Sequence, residues 1–325
     1  MRLRRSDPST PGYGRRRRGR GVSFLDADGR KISDPETVER LRGLVIPPAW
    51  REVWICPDPR GHIQATGVDA AGRKQYLYHP RWRAVRDAEK HQHVLDIAAC
   101  LPALRRRVTA DLGQRGLGRD RVLAAIAALL DSGAFRVGGD EYAGGDDPTY
   151  GVATLRPEHV RGRKGVLLLE FPAKGGIEQA CEVTDERVCE VLRALRRRRR
   201  GSDRLFGYWN GRGWHDVRSD EVNEYLREVS GADMTAKDLR TWHATLLAAW
   251  NLAEEGPQGT ATSRRRAVAA VMREVADLLG NTPAVAKASY VDPRVVDLYH
   301  DGRVASAATE RAVRDLLSLR PSRSA

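Results

Sequence analysis

Between Gly21 and Pro80 the apolar residues come in short runs separated by turn-forming residues. Val22–Leu25 precedes Asp28-Gly29, Val53–Ile55 precedes Asp58-Pro59-Arg60-Gly61, Ile63–Val68 precedes Ala71-Gly72, and Tyr76–Tyr78 closes the series. Runs of that length, punctuated by Asp, Gly and Pro, predict strands joined by tight turns. After Trp82 the spacing changes. Val94, Ile97, Leu101 and Leu104 recur at helical intervals, as do Val122, Leu123, Ile126, Leu129 and Leu130. Gly165–Phe171 and Ile177–Val183 return to strand patterning around Pro172-Ala173-Lys174-Gly175-Gly176, whose paired glycines predict a hairpin with Lys174 at its tip. Further helices are predicted near 185–200, 218–229, 236–255, 264–279, 283–291 and 294–300. The pattern predicts an α+β chain in four parts. Residues 1–20 form a basic arm with little to bury, expected to be disordered, and 21–88 a small β-rich N-terminal domain. Residues 89–305 form a mostly α-helical domain carrying the β-hairpin, and 306–325 a polar, basic tail.

The length of 325 residues agrees with about two domains. No apolar run approaches the ~18 residues of a membrane span, and the N-terminus lacks the apolar stretch of a secretory signal. A soluble protein of the cytoplasm is expected, with no membrane partner. Cys56, Cys100, Cys181 and Cys189 form no CxxC pair, so neither a disulfide framework nor a zinc ribbon is encoded. His91-Gln92-His93 lacks further ligands at metal spacing, and the glycines form neither a dinucleotide fingerprint nor a P-loop. No metal and no cofactor are expected. Fifty-six Lys+Arg against 43 Asp+Glu leave a net charge of +13, which directs attention to a polyanion, most simply nucleic acid. Only seven of these cations are Lys, so each Lys stands out against an Arg background.

Four segments carry candidate chemistry. Thr235-Ala236-Lys237-Asp238 is a capping-box variant that opens a helix. Leu239, Trp242, Leu246 and Trp250 form its core stripe, and Arg240 is offset toward a cleft or solvent. There it either meets an anion, aided by the helix dipole, or pairs on the surface. Phe135-Arg136-Val137-Gly138-Gly139 presents Arg136 in a glycine-rich turn after a helix, as a phosphate contact or a solvated side chain. Asn281-Thr282-Pro283 starts a short helix with Thr as cap and Pro at its first position. Asp292-Pro293 ends it just after Tyr290, which is either a packing residue or an accessible nucleophile. Arg73, Lys74, Gln75, Tyr76 and Tyr78 lie on one predicted strand, with Gln75 and Leu77 on one face and Tyr76 and Tyr78 on the other. The strand suits a DNA groove, with Gln reading adenine edges, or is a half-buried edge.

Taken in order, Arg136, Lys174, the Arg240 of KDLRTW and Tyr290 resemble the type IB DNA topoisomerases in their short viral and bacterial form. The likeness runs from about Gly12 to Gly302 and includes IPPAWREVWI, GHIQATGVDAAGRKQYLYHPRW, FRVGGDEY and LGNTPAVAKASYV. It implies a C-shaped clamp around double-stranded DNA and a recombinase-like catalytic domain that acts as a monomer at the nucleoid. Relaxation of positive and negative supercoils would proceed without ATP or metal. By this resemblance Tyr290 attacks a backbone phosphodiester to form a 3′-phosphotyrosyl link, Arg136 and Arg240 stabilise the charge on the non-bridging oxygens, and Lys174 protonates the departing 5′-oxygen. Arg73, Lys74, Gln75, Tyr76 and Tyr78 would contact DNA. The viral pattern has His where this chain has Asn281, an uncharged donor expected to stabilise the transition state by about 1–2 kcal/mol less than an ionised one. Tyrosine recombinases share the Arg, Lys, Arg and Tyr chemistry. Their second motif is His-x-x-Arg rather than Lys237-Asp-Leu-Arg240, and their first domain is a helical bundle rather than strands. A non-catalytic basic DNA-binding protein is the alternative from another class, and Tyr290→Phe separates it from an enzyme.

Overall fold

The computed structural model describes residues 2–19, 21–144, 146–163, 166–198 and 201–319. Residues 1 and 20 of the predicted arm, residues 320–325 of the tail, residues 199–200 at the end of the helix predicted near 185–200, and Gly165 lie outside the described residues. The chain divides into two units, residues 1–91 and 92–325.

In the first unit β1 (Tyr13–Arg18), β2 (Gly21–Leu25), β3 (Arg51–Ile55), β4 (Ile63–Val68) and β5 (Lys74–Tyr78) form one antiparallel sheet in the order β2-β1-β3-β4-β5. Helix α1 (Pro35–Gly43) is capped by Asp34, whose carboxylate accepts from the Thr37 amide, with Pro35 at its first position. Phe24, Leu41, Ile46, Ile55 and Ala65 make a small core, with Tyr13 and Leu77 against it. The register fixes which residues share that face. Tyr13 pairs with Ile55, Ile55 with Ala65 and Ala65 with Leu77, so Trp54, Thr66 and Tyr76 lie on the other face.

The predicted disordered arm is corrected here, because Tyr13–Arg18 is the second strand of the sheet. Composition hides the reason. Arg15 donates to the carbonyls of Ile46, Pro47 and Trp50, and Trp54 donates to the Thr10 carbonyl. The Ser6 hydroxyl exchanges hydrogen bonds with the Ile63 backbone. An arginine that satisfies three backbone carbonyls is a structural residue, and a composition count scores it as a free cation.

Helix α2 (Pro80–Leu112) runs from the first unit into the second, where α3 (Arg119–Leu130) follows. Eight of the 12 residues of α3 are buried, which makes it the central helix of the larger core. Strands β6 (Val160–Arg163), β7 (Val166–Ala173) and β8 (Ile177–Val183) form a second antiparallel sheet. Along β7 burial alternates strictly, with Leu167, Leu169, Phe171 and Ala173 turned into the core. Helix α4 (Glu186–Arg196), the short pair β9 (Gly207–Trp209) and β10 (Trp214–Asp216), and α5 (Ser219–Ser230) lead to α6 (Ala236–Glu255). Then come α7 (Ala261–Leu279), α8 (Pro283–Ser289), α9 (Pro293–His300) and α10 (Glu310–Leu317). No described helix is long and apolar enough to cross a membrane.

The expectation of a polar tail is also corrected, because α10 buries Ala312, Val313, Leu316 and Leu317 behind a Thr309 cap. An apolar stripe of four residues is too short to stand out among Arg, Glu and Ser. Tertiary packing makes this helix, since two turns alone are unstable in water.

Candidate active site

The second unit contains a cleft of about 440 Å³ lined by Arg136, Lys174, Lys237, Arg240 and Tyr290 together with Gly138 and Asn223. Arg136, Lys174 and Tyr290 arrive from three different segments, and Lys237 and Arg240 share α6. Helix α6 opens on the predicted capping box, with the Asp238 carboxylate accepting from the Thr235 amide at 2.9 Å and its hydroxyl at 2.6 Å. Leu239 and Trp242 turn into the core, and Arg240 follows them inward, 3% exposed. The solvent alternative for Arg240 is thereby removed. Its guanidinium donates to the carbonyls of Gly133 (3.2 Å), Ala134 (2.8 Å) and Leu279. Its Nε is buried without a partner among the described residues.

Arg136 lies on the segment that leaves α3, whose backbone is held by Val152 and Ala153 donating to the carbonyls of Arg136 and Val137, both at 2.8 Å. That approach requires glycine. Gly138 has φ +83°, and a Cβ on it would stand 2.8 Å from the Gly151 backbone. The Arg136 guanidinium donates to Asn281 Oδ1 at 3.1 Å, and Asn281 Nδ2 is buried without a partner among the described residues. Lys174 occupies the turn between β7 and β8, in register with the Ala173–Ile177 pair, and is exposed.

Tyr290 is the C-cap of α8, a helix started by Thr282 and Pro283 as predicted. The Arg240 guanidinium carbon lies 5.6 Å from the centre of the phenol ring. Burial raises the Tyr290 pKa, but the positive charges of Arg240, then Arg136, and of Lys237 outweigh it, so the net shift is downward. Burial and the neighbouring Arg136 push the Arg240 guanidinium down to about 10, which leaves it charged at neutral pH. The cleft therefore holds a half-buried phenol biased toward its anion beside cations with donor capacity to spare.

Residues 79–311 match the family model of the eukaryotic DNA topoisomerase I catalytic core, and residues 21–69 that of the bacterial DNA topoisomerase IB N-terminal domain. The chain belongs to the type IB DNA topoisomerases. It is 29% identical over 298 residues to the DNA topoisomerase 1B of Acanthamoeba polyphaga mimivirus, covering 89% of this chain and 88% of the viral one. The solved structure of XerH site-specific recombinase bound to difH substrate aligns with a TM-score of 0.36 and 14% identity, over 60% of this chain and half of the other.

In the topoisomerase's N-terminal unit the residues expected to contact DNA lie on or beside β5. Tyr76 and Tyr78 are exposed and stacked at 6.1 Å between ring centroids, with the Lys74 ammonium 5.9 Å from the Tyr76 ring. Gln75, half-buried on the opposite face, donates to Asp69 at 2.9 Å, and Arg73 pairs with the same carboxylate at 3.0 Å. Asp69 thus braces the turn before the strand. Sequence reading missed Lys237, which lines the cleft of the topoisomerase, and Thr245, which is buried and bonded to the Tyr290 backbone. Lys237 stands in the KDLRTW motif itself and was readable from its place one turn before Arg240. Thr245 carried no local signal of this role, because its bond to the Thr241 carbonyl is ordinary within a helix and its other partners, the backbone of Tyr290 and Asp292, are distant in sequence.

Proposed function

We propose that this topoisomerase relaxes positive and negative supercoils in double-stranded DNA through a transient covalent link between Tyr290 and one strand. The Tyr290 phenol gives up its proton to solvent and its Oη attacks a backbone phosphorus, the bond from phosphorus to the 5′-oxygen breaks, and a 3′-phosphotyrosyl ester forms. The departing oxygen takes a proton from Lys174 and leaves as a 5′-hydroxyl. Arg136, Arg240 and Asn281 donate to the non-bridging oxygens, where charge accumulates in the transition state. After the free strand rotates, the 5′-hydroxyl attacks the ester and restores the original bond. One phosphoester replaces another throughout, so resealing needs no ATP. Lys74, Tyr76 and Tyr78, with Arg73 beside them, hold the duplex by phosphate and groove contacts, and Gln75 on the other face braces the preceding turn through Asp69. A single chain suffices for this cycle.

The observation that carries the proposal is the pair of orphaned donors. Arg240 Nε and Asn281 Nδ2 are buried without acceptors in the same site as a phenol whose pKa is lowered. An unsatisfied buried donor costs about 1–3 kcal/mol, and a phosphate, rich in acceptor oxygens, removes that cost for both groups. The test is plasmid relaxation in EDTA without ATP, with trapping of a denaturation-resistant protein–DNA adduct. The wild-type chain is expected to relax both signs of supercoil and form the adduct. Tyr290→Phe should do neither while still binding DNA. Mapping the adduct to any other residue overturns the proposal.

A further inference from the structure

Behind the cleft a chain of charged side chains leads from α10 to the loop that holds Arg240. Glu310, the first residue of α10, accepts from Arg105 of α2 at 2.7 Å. Arg105 also forks the Asp131 carboxylate at 2.6 and 3.1 Å. Asp131 ends α3, and its other contact is His243 Nε2 at 3.0 Å. His243 lies one turn beyond Arg240 on α6. The loop that begins at Asp131 runs Ser132-Gly133-Ala134-Phe135-Arg136, so the Gly133 and Ala134 carbonyls that accept from Arg240 lie two and three residues from this carboxylate. Gly133 rests on His243 closely enough that a Cβ would stand 2.4 Å from the His243 Cβ.

These contacts hold the loop at two levels. The carbonyls of Gly133 and Ala134 face Arg240, and the carboxylate of Asp131 faces the Arg105–Glu310 pair. Burial raises the Asp131 pKa, but its hydrogen bonds to His243 and Arg105 reverse the shift, so it is held as the carboxylate. The matched catalytic-core family model ends at residue 311, so it includes Glu310 and leaves six of the eight residues of α10 beyond it.

We propose that Glu310, Arg105, Asp131 and His243 form a positioning relay through which α10 fixes the orientation of the Arg240 and Arg136 guanidinium groups. None of the four touches the reacting atoms; they act through the loop. The inference rests on the roles proposed above for Tyr290 and the two arginines. Misplacing a transition-state donor by a fraction of an ångström slows a reaction without abolishing binding.

The test is single-turnover formation of the covalent adduct at saturating protein, measured with DNA affinity and thermal stability, for the wild-type full chain and three variants. Glu310→Ala should lower the adduct-forming rate by roughly tenfold with DNA affinity unchanged. Glu310→Gln keeps an oxygen for Arg105 and should restore most of the rate. His243→Ala breaks the relay at its far end without touching α10 and should slow the step comparably. The double variant Glu310→Ala/His243→Ala should be little slower than the slower single one, since both interrupt one path. A Glu310→Ala rate equal to wild type, a Gln variant as slow as the Ala variant, or singles whose effects multiply would each overturn the relay. Where Glu310→Ala is too unstable to assay, the Gln variant and His243→Ala, measured well below their unfolding temperatures, decide the question. If the wild-type chain forms no adduct through Tyr290, the site reading itself has failed. If the adduct forms and only the variants behave like wild type, the relay alone is wrong.

Discussion

Thr245→Val removes a hydroxyl that ties the Tyr290 backbone to the helix carrying Arg240. The Thr245 hydroxyl lies within 3.0 Å of the Thr241 carbonyl and 3.3 Å of the Tyr290 carbonyl, and it accepts from the Asp292 amide at 3.1 Å. Both Thr245 and Asp292 are fully buried, so water cannot replace the lost partner. Valine fills the same volume, which excludes a cavity as the cause of any effect. What remains is the Asp292 N–H without an acceptor, a loss of about 1–3 kcal/mol. For a unit of this size about 1 kcal/mol corresponds to 2–4 °C, so the midpoint should fall by about 4–8 °C at the middle of that range. Thr245→Ser keeps the hydroxyl and loses one methyl group, and should stay within about 1 kcal/mol of wild type. Thermal and urea unfolding measure both, and adduct formation at 25 °C should slow in the valine variant relative to the serine one. A valine variant as stable and as fast as the serine variant would refute the assigned role of the hydroxyl.

The lowered pKa of Tyr290 predicts an adduct-forming rate that rises with pH and levels off below the ordinary phenol value of about 10. Lys237→Met removes one of the cations that lower it, so the midpoint of the pH–rate profile should move upward, and an unmoved midpoint would contradict the assignment. The same lowering adds stability in full above the ordinary value, and that increment is lost as pH falls through the lowered one. Asn281→His should accelerate single-turnover cleavage, by roughly tenfold if the full 1–2 kcal/mol is recovered. The imidazolium supplies the charge that the amide lacks: both of its ring nitrogens donate, so one can donate to phosphate, and Arg136 gives up its contact with Asn281 Oδ1. An unchanged or slower rate shows that the uncharged donor does not limit the step.

Local chemistry was legible wherever its signal is local. The Thr235–Asp238 capping box, the Thr282-Pro283 helix start and the turn that presents Lys174 are each set within four residues, and each is read from spacing alone. The strand alternation that turns Tyr76 and Tyr78 away from Leu77 belongs to the same class. Arg15 fails that test, because its partners are the carbonyls of residues 46, 47 and 50, more than 30 positions away. Its neighbours Arg16 and Arg17 are exposed, so three consecutive arginines read alike and behave differently. Helix α1 was also missed, although Asp34-Pro35 is a capping signal, because its nine residues sit among strands. In α10 and at Thr245 the deciding contacts join segments distant in sequence, and no periodicity records them.

What distinguishes the two site arginines from the ion-paired arginines of the same unit is the chemistry of what holds them. Arg105 is paired with Asp131 and Glu310, Arg107 with Asp111, and Arg294 with Asp292, so their charges are neutralised in place. Among the described residues Arg240 is gripped by three carbonyls, and Arg136 by a side-chain amide oxygen and the Gly280 carbonyl. Neutral acceptors fix a guanidinium in space and leave its charge uncancelled. A carboxylate in either position would raise the Tyr290 pKa instead of lowering it, and would compete with a phosphate for the same N–H groups. The cost is that two like charges lie near each other in a buried site, which is why Arg136 helps push Arg240 down to about 10. An anion relieves that repulsion and satisfies the orphaned Arg240 Nε and Asn281 Nδ2 at once, so the site gains most when a phosphate carries its greatest negative charge.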